Sequence, residues 1–272
     1  MLTINDVTCL SSRLACVVGL LVFPIVGCGD VGSDGAGGQG ATGGTGATGG
    51  TGAAGGTGGM PGPEPVTLFL DLFESPGQEG AEICETDTSN CTLTNADGRA
   101  TLDVVPADGR ISYTVGKEGY GTLLFTDVVD VTGQRGQTVI VPQAFLVSNE
   151  TAEAIAEAAG TTNPPPEGFG SAHVFIGTGG ADTLVGATLE IVGSSKKPFY
   201  RTDGLPDPDL TSTGGRTVDF FDVALGEIEI RLGGTATNCV PDQGWPGSEA
   251  NTIRTLIRAG MSSWSSVRCD PP

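Results

Sequence analysis

The chain has 272 residues, with 32 acidic against 13 basic side chains and a formal net charge of −19. Such a charge excludes nucleic acid and an anionic membrane surface as general partners, since both repel it. The length admits two domains of ordinary size with segments to spare, and the seven cysteines form an odd set that needs explaining.

Residues 1–27 read as an export signal. Arg13 and the N-terminus are the positive groups ahead of an apolar run from Leu14 to Gly27, shorter than the ~20 residues a spanning helix needs. The run ends in Ile25-Val26-Gly27-Cys28, which resembles the bacterial lipobox, where a small residue precedes an acylated cysteine. The resemblance implies a lipid on Cys28 and an exported protein anchored to a membrane, at the outer membrane or cell surface. A plain secreted protein fits less well, because Ile25 and Val26 are bulky where an ordinary cleavage site wants small residues.

This disposes of the odd count. Cys9 and Cys16 leave with the signal and Cys28 carries lipid, so Cys84, Cys91, Cys239 and Cys269 remain. An even set in an oxidising compartment favours disulfides. Of the three possible pairings, Cys84–Cys91 and Cys239–Cys269 are expected, because each falls within one proposed domain. Chain entropy assigns about 2.5 kcal/mol to the short loop and about 3.7 to the longer one. The sequence has no CxxC, which leaves zinc ribbons and thioredoxin-like chemistry without support.

Residues 28–63 read as the lipidated cysteine and a disordered linker. Glycine recurs at every third position from Gly37 to Gly58, which is collagen's spacing, yet that tract holds no proline. Collagen-like chains carry at least ~15–20% proline to pre-set the extended backbone, so a flexible spacer is the better reading. As a random coil, residues 29–63 span roughly 30–35 Å, enough to hold a domain clear of lipid headgroups.

Two β-rich stretches follow, assigned to residues 64–147 and 169–272. In the first, "VTLFLDLF" (66–73) and "GAEIC" (80–84) read as strands. Asp97-Gly98 and Asp108-Gly109 are turn signals. Between them Ala100 and Leu102 alternate with Arg99, Thr101 and Asp103, and beyond them Ile111, Tyr113 and Val115 alternate with Arg110, Ser112 and Thr114. Period two of this kind means strands with one buried face.

The pattern returns. "GATLEI" (186–191) echoes "GAEI", and "TSTGGRTVDFFDVALGEIEIRL" (211–232) echoes "TNADGRATLDVVPADGRISYTV". Thr94 precedes Gly98 by the interval at which Thr211 precedes Gly215. Val218 and Phe220 form an inward pair one residue out of step with Ala100 and Leu102, which predicts a bulge near Phe221-Asp222. These stretches resemble the carboxypeptidase regulatory-like domain, a small transthyretin-like β-sandwich, on Gly80-Ala81, Thr94, Gly98, Val105-Pro106, Gly109 and Gly119-Tyr120. The second copy keeps Gly186-Ala187, Thr211, Gly215, Val223 and Gly226 and lacks the proline and the Gly-Tyr. The resemblance implies an all-β chain of two Ig-/transthyretin-like sandwiches. It makes sugar binding a candidate role and carries no peptidase machinery with it.

Residues 148–168 join the copies. "SNETAEAIAEAAG" predicts a short helix capped by Ser148 or Asn149, with Ala152, Ile155, Ala156 and Ala159 on one face and Gly160 as its stop. It is expected to pack over an edge of one sandwich, and "TTNPPPEG" (161–168) reads as a semi-rigid linker. The tail predicts a closing hairpin about Ala259-Gly260, with Cys269 clamped back to Cys239.

Candidate chemistry is sparse. His173 is the one histidine, so neither an HExxH site nor a histidine cluster can form, and it reads as a surface or strand-edge residue. A Ser-His-Asp triad can in principle be assembled, yet the nucleophile-elbow Gly-x-Ser-x-Gly is missing. Asp203, Asp207 and Asp209 share one loop that offers oxygens to a hard cation such as Ca²⁺, with spacing unlike an EF-hand; no other cofactor is indicated. Trp245, Trp264 and Arg268 are the candidate ligand-binding residues, with Trp264 weighed against a place in the core. The resulting expectation is a non-enzymatic, lipid-anchored envelope protein whose two sandwiches bind a polysaccharide or an envelope protein. The alternatives are a structural spacer without a specific ligand and a secreted hydrolase with a cryptic carboxylate site.

Overall fold

The computed structural model describes residues 65–72, 79–129, 138–140, 146–178 and 183–271, all within one compact unit, Thr57–Pro272. The expectations for the export signal, Cys28 and the glycine-rich tract lie outside the described residues. The fold is an all-β sandwich architecture with a ten-residue helix, α1 (Asn149–Ala158), between its two halves. Among the described residues no helix is long and apolar enough to cross a membrane.

In the N-terminal half, β1 (Val66–Asp71), β4 (Arg99–Val104) and β7 (Thr138–Ile140) form a sheet ordered β4-β1-β7. It faces a second layer ordered β3-β2-β5-β6, from β2 (Glu82–Glu85), β3 (Cys91–Leu93), β5 (Arg110–Gly116) and β6 (Leu123–Val128). The period-two residues behave as expected. Ala100 and Leu102 are buried while Arg99, Thr101 and Asp103 are exposed, and Ile111, Tyr113 and Val115 are buried along β5. Asp108 and Gly109 both take positive φ, +52° and +75°, which lets the chain fold back between β4 and β5.

The C-terminal half repeats the plan. Its first layer holds β8 (Phe169–Thr178), β10 (Phe199–Thr202), β11 (Leu205–Asp207), β12 (Thr217–Ala224) and β17 (Ser262–Asp270). Its second holds β9 (Ala187–Ile191), β13 (Gly226–Gly234), β15 (Trp245–Pro246) and β16 (Thr252–Ile257), and β14 (Thr237–Gln243) pairs with β17. β1 pairs antiparallel with β4 and parallel with β7, as β8 does with β12 and β17. β5 lies between β2 and β6, as β13 lies between β9 and β16.

One local device recurs as well: Ala81 N–H donates to Thr94 Oγ1 at 2.9 Å, and Ala187 N–H donates to Thr213 Oγ1 at 2.9 Å. The counterpart of Thr94 is therefore Thr213, not Thr211, which is exposed. The bulge falls where the parity slip required it, between Phe220 and Val223, with Asp222 at φ +50°.

The tail departs from its expectation. Gly260 turns the chain with φ +69°, but β16 pairs with β13 and β15 whereas β17 pairs with β6, β8 and β14. The turn carries the chain from one layer to the other, so no hairpin forms. Ser262–Trp264 of β17 pair in parallel with Leu123–Phe125 of β6. That junction fuses one layer of each half into a continuous sheet, β11-β10-β12-β8-β17-β6-β5-β2-β3.

Both expected disulfides are present: Cys84–Cys91 links β2 to β3, and Cys239–Cys269 links β14 to β17. Further contacts lock the halves. Thr126 and Thr255 share a buried hydrogen bond of 3.3 Å, and Gln243 Nε2 donates to the buried Tyr113 hydroxyl at 3.3 Å.

Candidate functional site

Residues directly opposite one another on paired strands point to the same face. Across the fused sheet, Phe125 lies opposite Trp264, Trp264 opposite His173, and His173 opposite Asp219. Next to this row, Leu123 lies opposite Ser262 and Ser262 opposite Ser171. In the N-terminal half the face holding Leu123 and Phe125 looks into the first core, which Trp264 completes. In the C-terminal half the opposite face, with Ala172, Val174, Ile176, Val218 and Phe220, builds the second core. The polar row thus occupies the outer face of the second sandwich.

That face is covered rather than open. Ser148 Oγ caps α1 by accepting from Thr151 N–H at 3.2 Å, and the helix buries Ile155 and Ala156. These side chains line a cavity of about 230 Å³ with Leu123, Trp264, His173 and Phe221. The following segment contributes Thr162, Asn163 and Pro165 to the same cavity, and Thr161 Oγ1 donates to Asp222 at 3.1 Å. The helix packs against β11, the edge strand of the fused sheet, as the sequence placed it, and its buried side chains also line the cavity at the junction of the halves.

At the floor, His173 is 6% exposed and Asp219 fully buried. A buried carboxylate persists only when paired. Arg201 supplies the pair, with Nε to Oδ2 at 2.6 Å and Nη2 to Oδ1 at 2.7 Å. His173 Nδ1 meets Oδ1 at 2.6 Å. Burial pushes the Asp219 carboxyl up, and the hydrogen bonds from His173 and Arg201 outweigh it and hold the group below its ordinary value. On its other side His173 Nε2 is 3.1 Å from Ser171 Oγ, which is 3.0 Å from Ser262 Oγ. The imidazole stacks on Trp264, with ring centroids 5.0 Å apart, and Phe221 meets it edge-on.

Ser171, His173 and Asp219 have the connectivity of a nucleophilic triad, but the surroundings do not match one. Acyl transfer needs N–H donors aimed at the developing oxyanion. Ser171 N–H is spent on Met261 O, and β8 is paired on both sides, with β12 and β17. Asp219 is clamped by an arginine, which removes much of the negative field that stabilises an imidazolium. His173, expected at the surface, is a core-grade residue because its strand is covered on both faces.

The other expected site residues are dispersed. Trp245 is not an exposed loop residue: it is 7% exposed, and its Nε1 donates to Ile111 O at 3.2 Å and Asp127 O at 3.0 Å. Arg110 lies over its ring at 4.9 Å, so it ties the halves together. Trp264 is buried in the first core. Arg268 is exposed and pairs with Asp242 at 3.4 Å, in a depression with Phe175 and Ser266, so no Trp/Arg patch forms. Asp203 occupies the β10–β11 turn at φ +53°, while Asp207 accepts from Thr202 Oγ1 and from Asp209 N–H. These three carboxylates do not converge. Among the described residues the ligand-type groups that gather are Glu82, Cys84 and Cys91, and the two sulfurs are consumed in a disulfide.

Sequence reasoning missed Ser171, Arg201, Asp219 and Ser262. A signal existed in Asp219, set between the apolar Val218 and Phe220: a carboxylate buried there must have a partner.

No family model matches the chain, and no curated protein matches it. Among solved structures, the minor pilin GBS52 of Streptococcus agalactiae aligns at 11% identity and TM-score 0.24, over 77% of this chain and 97% of the pilin. The family 26 carbohydrate-binding module of Eubacterium rectale Amy13K, solved with maltoheptaose, aligns at 10% and 0.23, over 76% and 98%. The Bacillus anthracis TIE protein aligns at 11% and 0.21, over 76% of this chain and 34% of its own.

Proposed function

We propose that the chain is a non-catalytic, lipid-anchored envelope protein that holds a small ligand in the cavity between its sandwiches. Cys28 carries the lipid, residues 29–63 hold the body away from the membrane, and the fused sheet keeps the cavity walls in fixed relation. The observation that carries the binding reading is the covered cavity of about 230 Å³, with apolar walls from both halves and a hydrogen-bonded Ser171-His173-Asp219-Arg201 floor. Ligand sites combine apolar walls with a few fixed polar groups in this way. A polysaccharide platform built on Trp245 and Trp264 loses its support, because both indoles are buried.

Two measurements test the proposal on protein recovered from cells. Mass spectrometry of the mature N-terminus is expected to find an acylated Cys28, and a free thiol there overturns the anchor. A fluorophosphonate probe is expected to leave Ser171 unlabelled, and stoichiometric labelling there overturns the non-catalytic reading. The rigid seam, with Arg110–Glu227 at 3.0 Å beside the Trp245 contacts, also suits a spacer without a ligand. Wild-type function surviving Ala156→Phe, which fills the cavity, would favour that second reading.

A further inference from the structure

We infer that the ligand of this cavity is a small neutral molecule with an apolar body and one hydroxyl, which it donates to Ser262 Oγ. The inference rests on the binding reading above and deepens it. It follows from counting protons along the floor. Asp219 accepts two hydrogen bonds from Arg201, so it is a carboxylate and has no proton to offer. His173 Nδ1, at 2.6 Å from Oδ1, must therefore carry the hydrogen. In the neutral imidazole Nε2 is then an acceptor. Ser171 Oγ, at 3.1 Å, donates its single proton to it. A hydroxyl has one proton, so the 3.0 Å contact between Ser171 and Ser262 is donated by Ser262. The chain of donors thus runs Ser262 to Ser171 to His173 to Asp219. Ser262 lines the cavity with its proton already committed and only lone pairs left to offer.

Charge and size narrow the ligand further. Arg201 and Asp219 cancel, so the floor offers no net charge to an anion, and an anionic oxygen would meet the lone pairs of Ser262. A cation would lose its hydration against Leu123, Val147, Ile155 and Phe221 without a free carboxylate in return, which is costly. A neutral donor satisfies the acceptor without that cost. The wall also offers donors, and a neutral hydroxyl is the group that can accept from them while it donates to Ser262. Thr162 Oγ1 donates to Pro164 O, whereas Thr151 Oγ1 accepts from Ser148 Oγ and keeps its own proton to donate. Arg201 has N–H groups beyond those given to Asp219 and Gly204, and Asn163 can serve a donor or an acceptor alike. An apolar cavity of about 150 Å³ holds benzene, so about 230 Å³ suits a substituted ring of the phenol class.

The test is calorimetric titration of the full chain with phenol, toluene and benzoate, three probes of similar shape that differ in what they present to Ser262. Phenol is expected to bind about ten-fold or more tightly than toluene, the effect of satisfying one buried acceptor, and more tightly than benzoate. Ser262→Ala, checked for an unchanged melting temperature, is expected to bring phenol to within about three-fold of toluene. Toluene binding as well as phenol to the wild type overturns the donor chemistry and leaves the cavity a binding site. Benzoate binding most tightly shows that the donor chain runs the other way and overturns the inference. If none of the three binds, the binding reading itself falls. The wild-type series decides among these outcomes even where the variant does not fold.

Discussion

The two sandwiches share a strand plan and differ in how they use the fused sheet. In the N-terminal half, the face carrying Leu123 and Phe125 is covered by the β4-β1-β7 sheet, and its neighbours are Leu68, Leu70, Leu102 and other apolar side chains. In the C-terminal half the same face is covered by a helix and a proline-rich segment, and its residues are Ser171, His173, Asp219 and Arg201. A sheet covers a face evenly, because both layers present side chains at regular spacing. A short helix whose buried side chains are Ile155 and Ala156 does not, and the space it leaves is where buried polar groups collect. One ion pair from each half shows the same contrast. Arg99–Asp71 sits at the surface of the first half, with the arginine side chain 54% exposed, whereas Arg201–Asp219 in the second has a fully buried carboxylate.

The sharpest way to break this comparison is to remove one cation from each half. Arg201→Met leaves Asp219 buried beside an imidazole alone and is expected to cost about 3–5 kcal/mol in urea unfolding, the penalty of an uncompensated buried charge. Arg99→Met is expected to change stability by about 0–1 kcal/mol, as exposed pairs do. Adding Asp219→Leu to Arg201→Met should recover much of the loss, since the charge needing a partner is gone. Equal costs for the two single variants would mean that the row under α1 is wetter than its geometry indicates.

Much of this half-by-half plan was legible in the sequence because period two reports one-sided burial. Ala100, Leu102, Ile111, Tyr113 and Val115 all face a core, and the bulge was forced by the parity of Val218 and Phe220. What escaped was burial on both faces. His173 alternates with Ala172 and Val174, so one parity of β8 looks apolar and the other polar, the mark of an exposed face. The α1 cover that overrules this comes from a distant segment and leaves no trace in β8. Trp245 escaped for a related reason: its "DQGWPGS" setting is a turn by composition, and only the docking of the halves buries it. The role of β17 as the shared strand was hidden too, because turn chemistry at Ala259-Gly260 does not say which sheet the next strand joins.

A second contrast concerns two carboxylates, Asp219 fully buried and Asp127 half-buried. Asp219 has a guanidinium and an imidazole and is held below its ordinary value. Asp127, on β6 beside the seam, accepts from the N–H of Val128, and burial pushes it up from 3.8 to about 6. A carboxyl raised in the folded state binds its proton more tightly there than in the unfolded chain. Its contribution to stability is full below about pH 3.8, declines as pH rises, and is lost above about pH 6. Asp127→Asn keeps the acceptor and removes the charge. It is expected to be more stable than the wild type by about 2 kcal/mol at pH 7.5, after allowance for partial solvent contact. The gap should close as pH falls toward 4, and a gap independent of pH would assign the effect to something other than this carboxyl.

The finest test asks whether the halves are copies at the level of single hydrogen bonds. Thr94 and Thr213 each accept a backbone N–H, from Ala81 and Ala187, at the same distance of 2.9 Å. Each is buried, at 4% and 2% exposure, where water cannot replace the lost acceptor. Valine has nearly the same shape and no oxygen. Thr94→Val and Thr213→Val are each expected to cost about 1 kcal/mol in chemical denaturation, the net worth of such a bond. Thr211→Val, at the exposed position that sequence spacing selected, is expected to change stability by less than about 0.5 kcal/mol. A large effect at Thr211 with none at Thr213 would return the repeat to its sequence alignment and remove the structural equivalence of β2 and β9.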